Sequence, residues 1–162
     1  MTPPGLRNVS TRTDIQLARA LFVEYAAWLA VDLCFQGFAE ELASLPGAYA
    51  TPRGRLLLAG DPGMAFGCIA LRPLHGVDAS KRAAGEIKRL YVQPAHRREG
   101  WGRRLAEALI DAAGEVGYRE LFLDTLERMS DARQLYGRLG FRECAPYYHN
   151  PLPGAVYMRR EL

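Results

Sequence analysis

The nine residues Pro94-Ala95-His96-Arg97-Arg98-Glu99-Gly100-Trp101-Gly102 are the part of this sequence best suited to hold a ligand. Two glycines let the backbone turn so that several amide hydrogens converge. At the N-terminus of a helix such a turn attracts an anion, because unpaired amides and the helix dipole act together. Arg97, Arg98, Arg103 and Arg104 add charge that can reach phosphate oxygens. The spacing lacks the Gly-Lys-Ser or Gly-Lys-Thr ending of a P-loop and is not Gly-x-Gly-x-x-Gly, so a different phosphate compound is indicated. The competing reading is a helix-entry turn without a ligand, with Arg103 or Arg104 on a solvated helix face. Other chemistries are poorly served. Cys34, Cys68 and Cys144 are odd in number and far apart, which suits small core residues in a reducing compartment better than a disulfide framework. His75, His96 and His149 have no partner at ligand spacing, so no metal is expected.

The elements that must position this loop follow from periodicity. Ile87 to Val92 reads as a strand leading in, and Leu105, Ala108, Leu109, Ala112, Ala113 and Val116 mark a helix leading out, which Gly117 can end. A strand from Glu120 to Thr125 follows. Ser130 can cap a helix carrying Ala132, Leu135, Tyr136 and Leu139, and Phe141 to Cys144 and Ala155 to Arg159 read as further strands. This alternation of strand and helix favours parallel pairing. The first half differs. Leu6 to Val9 is a short strand, and Thr13 or Asp14 can cap a helix whose apolar residues run from Ile15 to Leu29. A second helical piece spans Phe38 to Leu45, and Leu56 to Ala59 with Met64 to Leu71 form a hairpin around Gly60-Asp61-Pro62-Gly63. Pro73 to Gly85 reads as a polar connection.

Arg97-x-x-Gly100-x-Gly102, preceded by Leu90-Tyr91-Val92-x-Pro94, resembles the Gln/Arg-x-x-Gly-x-Gly/Ala motif of the GNAT superfamily of acetyl-CoA-dependent N-acetyltransferases. Leu135-Tyr136-x-x-Leu139-Gly140-Phe141 resembles that family's second signature, and the order of elements matches over nearly the whole chain. The resemblance implies an α/β (α+β) fold with a central mixed, mostly antiparallel sheet of six or seven strands flanked by four helices. It implies acetyl-CoA as cosubstrate, held by Leu90, Tyr91, Val92, Arg97, Arg98, Glu99, Gly100, Trp101, Gly102 and Arg103. The Leu90 amide would serve as oxyanion donor and Val92 would pair with the pantetheine arm as an added strand does. An alkylammonium must lose a proton before it attacks, and Glu86 is the candidate base by resemblance; a surface carboxylate is the alternative. Tyr136 matches the family's general acid for the departing thiolate, against the alternative of a packed aromatic on the helix face. One departure is that Glu127-Arg128-Met129-Ser130-Asp131 lacks the asparagine that many relatives carry near this helix start.

Composition bounds the rest. A chain of 162 residues, 49% hydrophobic and 24% charged, fits one domain over residues 1–162. The longest apolar stretch, Leu21 to Leu33, contains Glu24 and Asp32, and the N-terminus lacks a signal-peptide pattern, so a cytoplasmic protein without a membrane span is expected. A formal charge of +3 and a single basic stretch from Lys81 to Arg104 suit a local anion site better than nucleic acid. By the family resemblance, Tyr25, Trp28, Asp32, Phe35 and Phe38 in the N-terminal helices would wall the acceptor side, with Tyr147-Tyr148-His149-Asn150-Pro151 in the C-terminal loop opposite. Aromatics with a few acids suit a small cationic amine, though most of these rings also suit a core. Acetylation of a protein N-terminus or lysine, and a catalytically silent coenzyme A-binding module, stand as alternatives. Dimers through a sheet edge or helices are frequent among relatives, so a homodimer is open.

Overall fold

The computed structural model describes residues 2–75 and 83–162. The chain runs β1 (Leu6–Asn8), α1 (Arg12–Leu29), α2 (Phe38–Ser44), β2 (Arg55–Ala59), β3 (Gly67–Pro73), β4 (Ala84–Val92), α3 (Trp101–Val116), β5 (Glu120–Leu126), α4 (Ser130–Arg138), β6 (Arg142–Cys144) and β7 (Ala155–Glu161). The strands form one seven-stranded sheet in the order β1-β2-β3-β4-β5-β7-β6. Only β4 and β5 pair in parallel among the described residues; every other neighbour is antiparallel. The expected mixed, mostly antiparallel sheet with four helices is therefore present. The parallel bias read from the second half yields a single pair, because β7 returns between β5 and β6 and pairs antiparallel to both. Residues 76–82 of the expected polar connection, with Lys81 of the basic stretch, lie outside the described residues; its ends, Pro73 and Ala84-Gly85, belong to β3 and β4.

The sheet is covered on both faces, which explains the continuous apolar runs of β2 and β3. On one face Leu57, Ile69, Leu71 and Ile87 meet Leu105, Leu109 and Ala113 of α3. On the other, Leu56, Leu58, Cys68 and Ala70 meet Ala18, Leu21 and Phe22 of α1. Alternation along each strand assigns these residues to their faces. Along β4 that alternation breaks: Ile87 packs with α3, yet Tyr91 packs with α1. The register gives the cause, since Cys68 pairs with Tyr91 but Ala70 pairs with Lys88, so β4 carries one extra residue. A bulge of this kind bends its strand and flips every later side chain to the opposite face.

Several local expectations need correction. The N-cap of α1 is Thr11, not Thr13 or Asp14: the Thr11 hydroxyl accepts from the Asp14 amide, and the Asp14 carboxylate accepts from the amides of Ser10 and Thr11. This capping box places Asp14 in the first turn, beside the positive end of the helix dipole. Ser130 is the first residue of α4 and provides no capping bond. Gly117 does end α3, with φ 99°. Of the three free cysteines only Cys68 is buried; Cys34 is exposed in the turn after α1.

Candidate active site

β4 and β5 are in register only at Ala84–Glu120, Gly85–Leu121 and Glu86–Phe122. Past Glu86 this parallel register ends, and a cavity of about 70 Å3 lies where Ile87–Leu90 face Leu123–Leu126. Tyr25 and Leu29 of α1, Met129 just before α4, and Ala132 and Tyr136 of α4 wall it, together with Leu33, Gln36, Asn150 and Leu152. The bulge sits at the point of divergence. Arg89 adopts φ 61°, a conformation that costs an L-residue about 1–2 kcal/mol. Its side chain holds it there. Nε and Nη2 donate to the two Glu41 oxygens at 2.9 and 3.0 Å, Nη1 donates to Gln36 at 2.8 Å, and the guanidinium lies over the rings of Phe38 and Tyr25. Burial opposes the charge, but Glu41 and its hydrogen bonds win and keep Arg89 cationic.

The loop after β4 delivers the N-terminus of α3. Arg98 and Gly100 take positive φ, 65° and 81°, and Gly100, as the cap residue, offers no side chain to the first-turn amides of Trp101, Gly102 and Arg103. A Cβ at Gly100 would meet nothing within 4 Å, and one at Gly102 only Leu135 Cδ2 at 3.8 Å, so the helix entry faces open space. Arg97 turns back: its Nε donates to the Val92 carbonyl at 2.9 Å, and its guanidinium lies 4.7 Å from the Trp28 ring centre and 5.7 Å from that of Tyr91. Arg98 and Glu99 are exposed. Arg103 is exposed and paired with Glu107, as the solvated-face reading expects for one of the two arginines. Arg104 instead covers Trp101 and donates to the Pro4 carbonyl. The Trp101 ring also packs on Phe66, so only its amide remains available to an anion.

Tyr136 is 5% exposed, packs edge-on against Phe141 and lines the cleft between β4 and β5. Burial pushes its phenol well above the ordinary value, so it keeps its proton at neutral pH. Glu86 is 1% exposed, which removes the surface-carboxylate reading. Its Oε1 receives Arg72 Nε and Nη2 at 2.8 and 2.7 Å, and its Oε2 receives the Tyr147 hydroxyl at 2.7 Å. Glu86 and Lys88, two residues apart on one face of β4, line a second cavity of about 580 Å3 with Phe35, Leu74, Tyr147 and Tyr148. That volume falls in the range of small-molecule sites. Gln36 and Lys88 line both cavities, so Glu86 and Tyr136 face adjoining chambers.

A buried polar network separates the chambers. Asp124 on β5 receives Lys88 Nζ at 3.2 Å, Asn150 Nδ2 at 2.9 Å and the Tyr148 hydroxyl, which in turn accepts from Gln36 at 3.1 Å. Burial alone would raise the Asp124 carboxyl, but the charge of Lys88 and these hydrogen bonds hold it below the usual carboxylate range. Burial lowers Lys88 from the usual lysine value despite Glu86 and Asp124 beside it. The Tyr157 hydroxyl donates to the Tyr148 carbonyl and accepts from the Asn150 amide, fixing the loop that roofs both chambers.

Of the residues expected on the acceptor side, Phe35, Tyr147 and Tyr148 line the larger cavity, whereas Tyr25 lines the cleft and Trp28 covers Arg97. Phe38 lies under Arg89. Asp32 is exposed and accepts from the Cys34 amide, and His149 is exposed; neither lines either cavity. Arg72 and Asp124 escaped the sequence reading, and Lys88 and Arg89, which belong to the basic stretch expected to serve an anion site, are instead buried and paired with Asp124 and Glu41. Their signal was available, since charged residues inside strands covered on both faces must be paired. No group of three or more His, Cys, Asp or Glu residues suited to a metal occurs among the described residues, and no described helix is long and apolar enough to cross a membrane.

Residues 22–141 match the model of the acetyltransferase (GNAT) family. An uncharacterized N-acetyltransferase of Schizosaccharomyces pombe is 39% identical over 159 residues, covering 98% of this chain and 94% of its own. Among solved structures, an acetyltransferase from Streptococcus agalactiae superposes with a TM-score of 0.75 at 18% identity, over 99% of this chain and 100% of its own. The Salmonella typhimurium protein yncA, solved with its cofactor acetyl-CoA, superposes with a TM-score of 0.69 at 19% identity, over 96% of this chain and 92% of its own.

Proposed function

This chain belongs to the GNAT acetyltransferase family, and from that premise we propose that it moves an acetyl group from acetyl-CoA to the primary amine of a small molecule by direct attack of the amine on the thioester. The observation that carries the reading is the pair of chambers meeting at Gln36 and Lys88, one opening between β4 and β5 and the other sized for a small molecule. The uncapped start of α3, with open space at Gly100 and Gly102, fits a pyrophosphate.

Acetyl-CoA supplies an activated acyl group. The amides of Gly100, Trp101, Gly102 and Arg103, with the exposed side chain of Arg98, hold its phosphates; Arg97 braces the loop against Val92 and Trp28, and Glu99 shapes the turn by accepting from Trp101 Nε1 at 3.1 Å. The Leu90 amide, next to the bulge, donates to the thioester oxygen. Val92 pairs with the pantetheine arm, and because a carbonyl oxygen has two lone pairs, its bond from Arg97 need not be given up. Tyr91 contributes its backbone, its ring being committed to Tyr25 and Trp28. Glu86 takes the proton of the acceptor ammonium, directly or through water, at Oε2, where Tyr147 occupies one of two lone-pair sites. Tyr136, which keeps its proton at neutral pH, gives it to the departing thiolate.

The roof formed by Tyr147, Tyr148 and Asn150 is bonded to Glu86 and Asp124, which favours a small acceptor over a protein terminus or lysine that needs an open groove. A carboxylate and a protonated phenol in adjoining chambers oppose a silent binding module. Three free thiols suit the reducing cytosol. The test is thiol release from acetyl-CoA across a library of amines; no release with any amine, together with no thermal stabilisation by coenzyme A, overturns the proposal.

A further inference from the structure

The acceptor chamber has a charge pattern that the proposed reaction does not by itself require. Among its described lining residues, Arg72 and Lys88 are cationic side chains and Glu86 is the one carboxylate. Glu86 already receives two guanidinium nitrogens and the Tyr147 hydroxyl. Asp124, the partner of Lys88, does not line the chamber and is engaged by Tyr148 and Asn150 as well. An acceptor with a second positive charge therefore finds two cations and one heavily used carboxylate. A neutral acceptor would displace water from those cations and return no anion to them, which is costly in a partly buried site.

Arg72 is placed to receive the missing anion. Its side chain is 30% exposed and lines the chamber, while its contacts to Glu86 are made through Nε and Nη2 to a single oxygen. A guanidinium carries five donors in a planar fork, so one edge can be held by Glu86 while another meets a carboxylate in bidentate fashion. The grip of Glu86 also pre-orders the side chain, which reduces the entropy lost on binding. Phe35, Leu74 and Tyr147 give the same chamber an apolar wall.

Resting on the acetyl transfer proposed above, we propose that the acceptor is an amino carboxylate, an amine that also carries a free carboxylate and an apolar or aromatic side chain, and that Arg72 binds this carboxylate as the specificity-determining residue. The carboxylate sits at Arg72, the side chain lies against Phe35 and Leu74, and the amine is directed past Lys88 toward the cleft.

The experiment uses the full chain with acetyl-CoA and matched acceptor sets: phenylalanine, phenylalaninamide and phenethylamine, then the corresponding leucine set. Thiol release gives kcat/KM and mass spectrometry identifies the acetylated product. The free acid of at least one set is expected to exceed its amide and its decarboxylated amine by about a hundredfold or more, the scale for losing one partner of a desolvated charge pair. In Arg72→Gln that ratio should collapse to within about threefold of one whatever the absolute rates, and Arg72→Lys, which keeps the charge but loses the fork, should lie between. The ratio in the parent protein decides the matter even if Arg72→Gln folds poorly. Amides or amines acetylated as well as the acids, or an acid preference that survives in Arg72→Gln, overturns the inference and leaves acetyl transfer standing. No thiol release with any acceptor, together with no thermal stabilisation by coenzyme A, removes both.

Discussion

Removing the Glu41 carboxylate is expected to be among the most damaging single changes outside the apolar core. The Arg89 side chain is 2% exposed and that of Glu41 9%, and two of the guanidinium nitrogens are committed to this carboxylate. In Glu41→Leu the bond from Nη1 to Gln36 survives, but the charge loses its counter-ion in a place where water cannot replace it. Breaking such a pair from one side costs about 3–5 kcal/mol. For a chain of this size each kcal/mol lowers Tm by roughly 2–4 °C, so a fall of about 6–20 °C is expected. Replacing both partners, Glu41→Leu with Arg89→Leu, removes the stranded charge and should be less harmful than Glu41→Leu alone, a coupling of about 1 kcal/mol or more. Thermal and urea unfolding of the parent, both single variants and the double variant measure this. Because Arg89 holds the bulge from which the cleft opens, Glu41→Leu should also weaken the stabilisation conferred by acetyl-CoA. A Tm for Glu41→Leu within about 2 °C of the parent, or additive effects in the double variant, would show that this ion pair does not hold the bulge.

Three further outcomes are expected. Tyr136→Phe keeps the ring against Phe141 and should leave stability and acetyl-CoA affinity nearly unchanged while turnover falls about 10²- to 10⁴-fold, most at high pH; parent-like turnover at every pH would leave Tyr136 with packing alone. Gly102→Val should fold, since its Cβ would approach only Leu135, yet bind coenzyme A more weakly because the side chain fills space beside the uncapped amides; parent-like affinity in calorimetry would move the phosphate site elsewhere. Asp124 is held below its usual value of 3.8, so the unfolded chain binds its proton more readily, and the stability it contributes is present above 3.8 and lost as pH falls through the lower folded value. Acid unfolding should therefore be less steep in Asp124→Asn, and an unchanged pH dependence would show that Asp124 does not carry this linkage.

What could be read from the sequence was local. The α3 entry announced itself because its features, a glycine cap at Gly100, a small residue at Gly102 and the periodic Leu105, Leu109 and Ala113 behind them, are fixed by residues within one or two turns of each other. The same holds for the end of α3 at Gly117. The cap at Thr11 precedes the expected Thr13 or Asp14 by two or three residues because all three are good cap types, and the capping-box bonds, not residue type, decide among them.

The charged lining of the larger cavity and of the cleft beside it depended on contacts between distant parts of the chain. Glu86 meets Tyr147 across 61 residues, Lys88 meets Asp124 across 36, and Arg89 meets Glu41 across 48. Hydropathy along β4 shows that charges enter a covered strand, but only the folded sheet supplies their partners. The bulge is of the same kind. An extra residue in a strand is defined relative to the neighbour it pairs with, so Ile87 and Tyr91 look alike in sequence until the register with Cys68 and Ala70 sends them to opposite faces. The sequence alone determined the order of elements and the glycine-rich turn that enters α3, because backbone conformation is set over a few residues. The tertiary structure alone decided which buried charges pair, where β4 leaves β5 and which way Glu86 and Lys88 point, because strand register and ion pairing join residues that the chain keeps far apart.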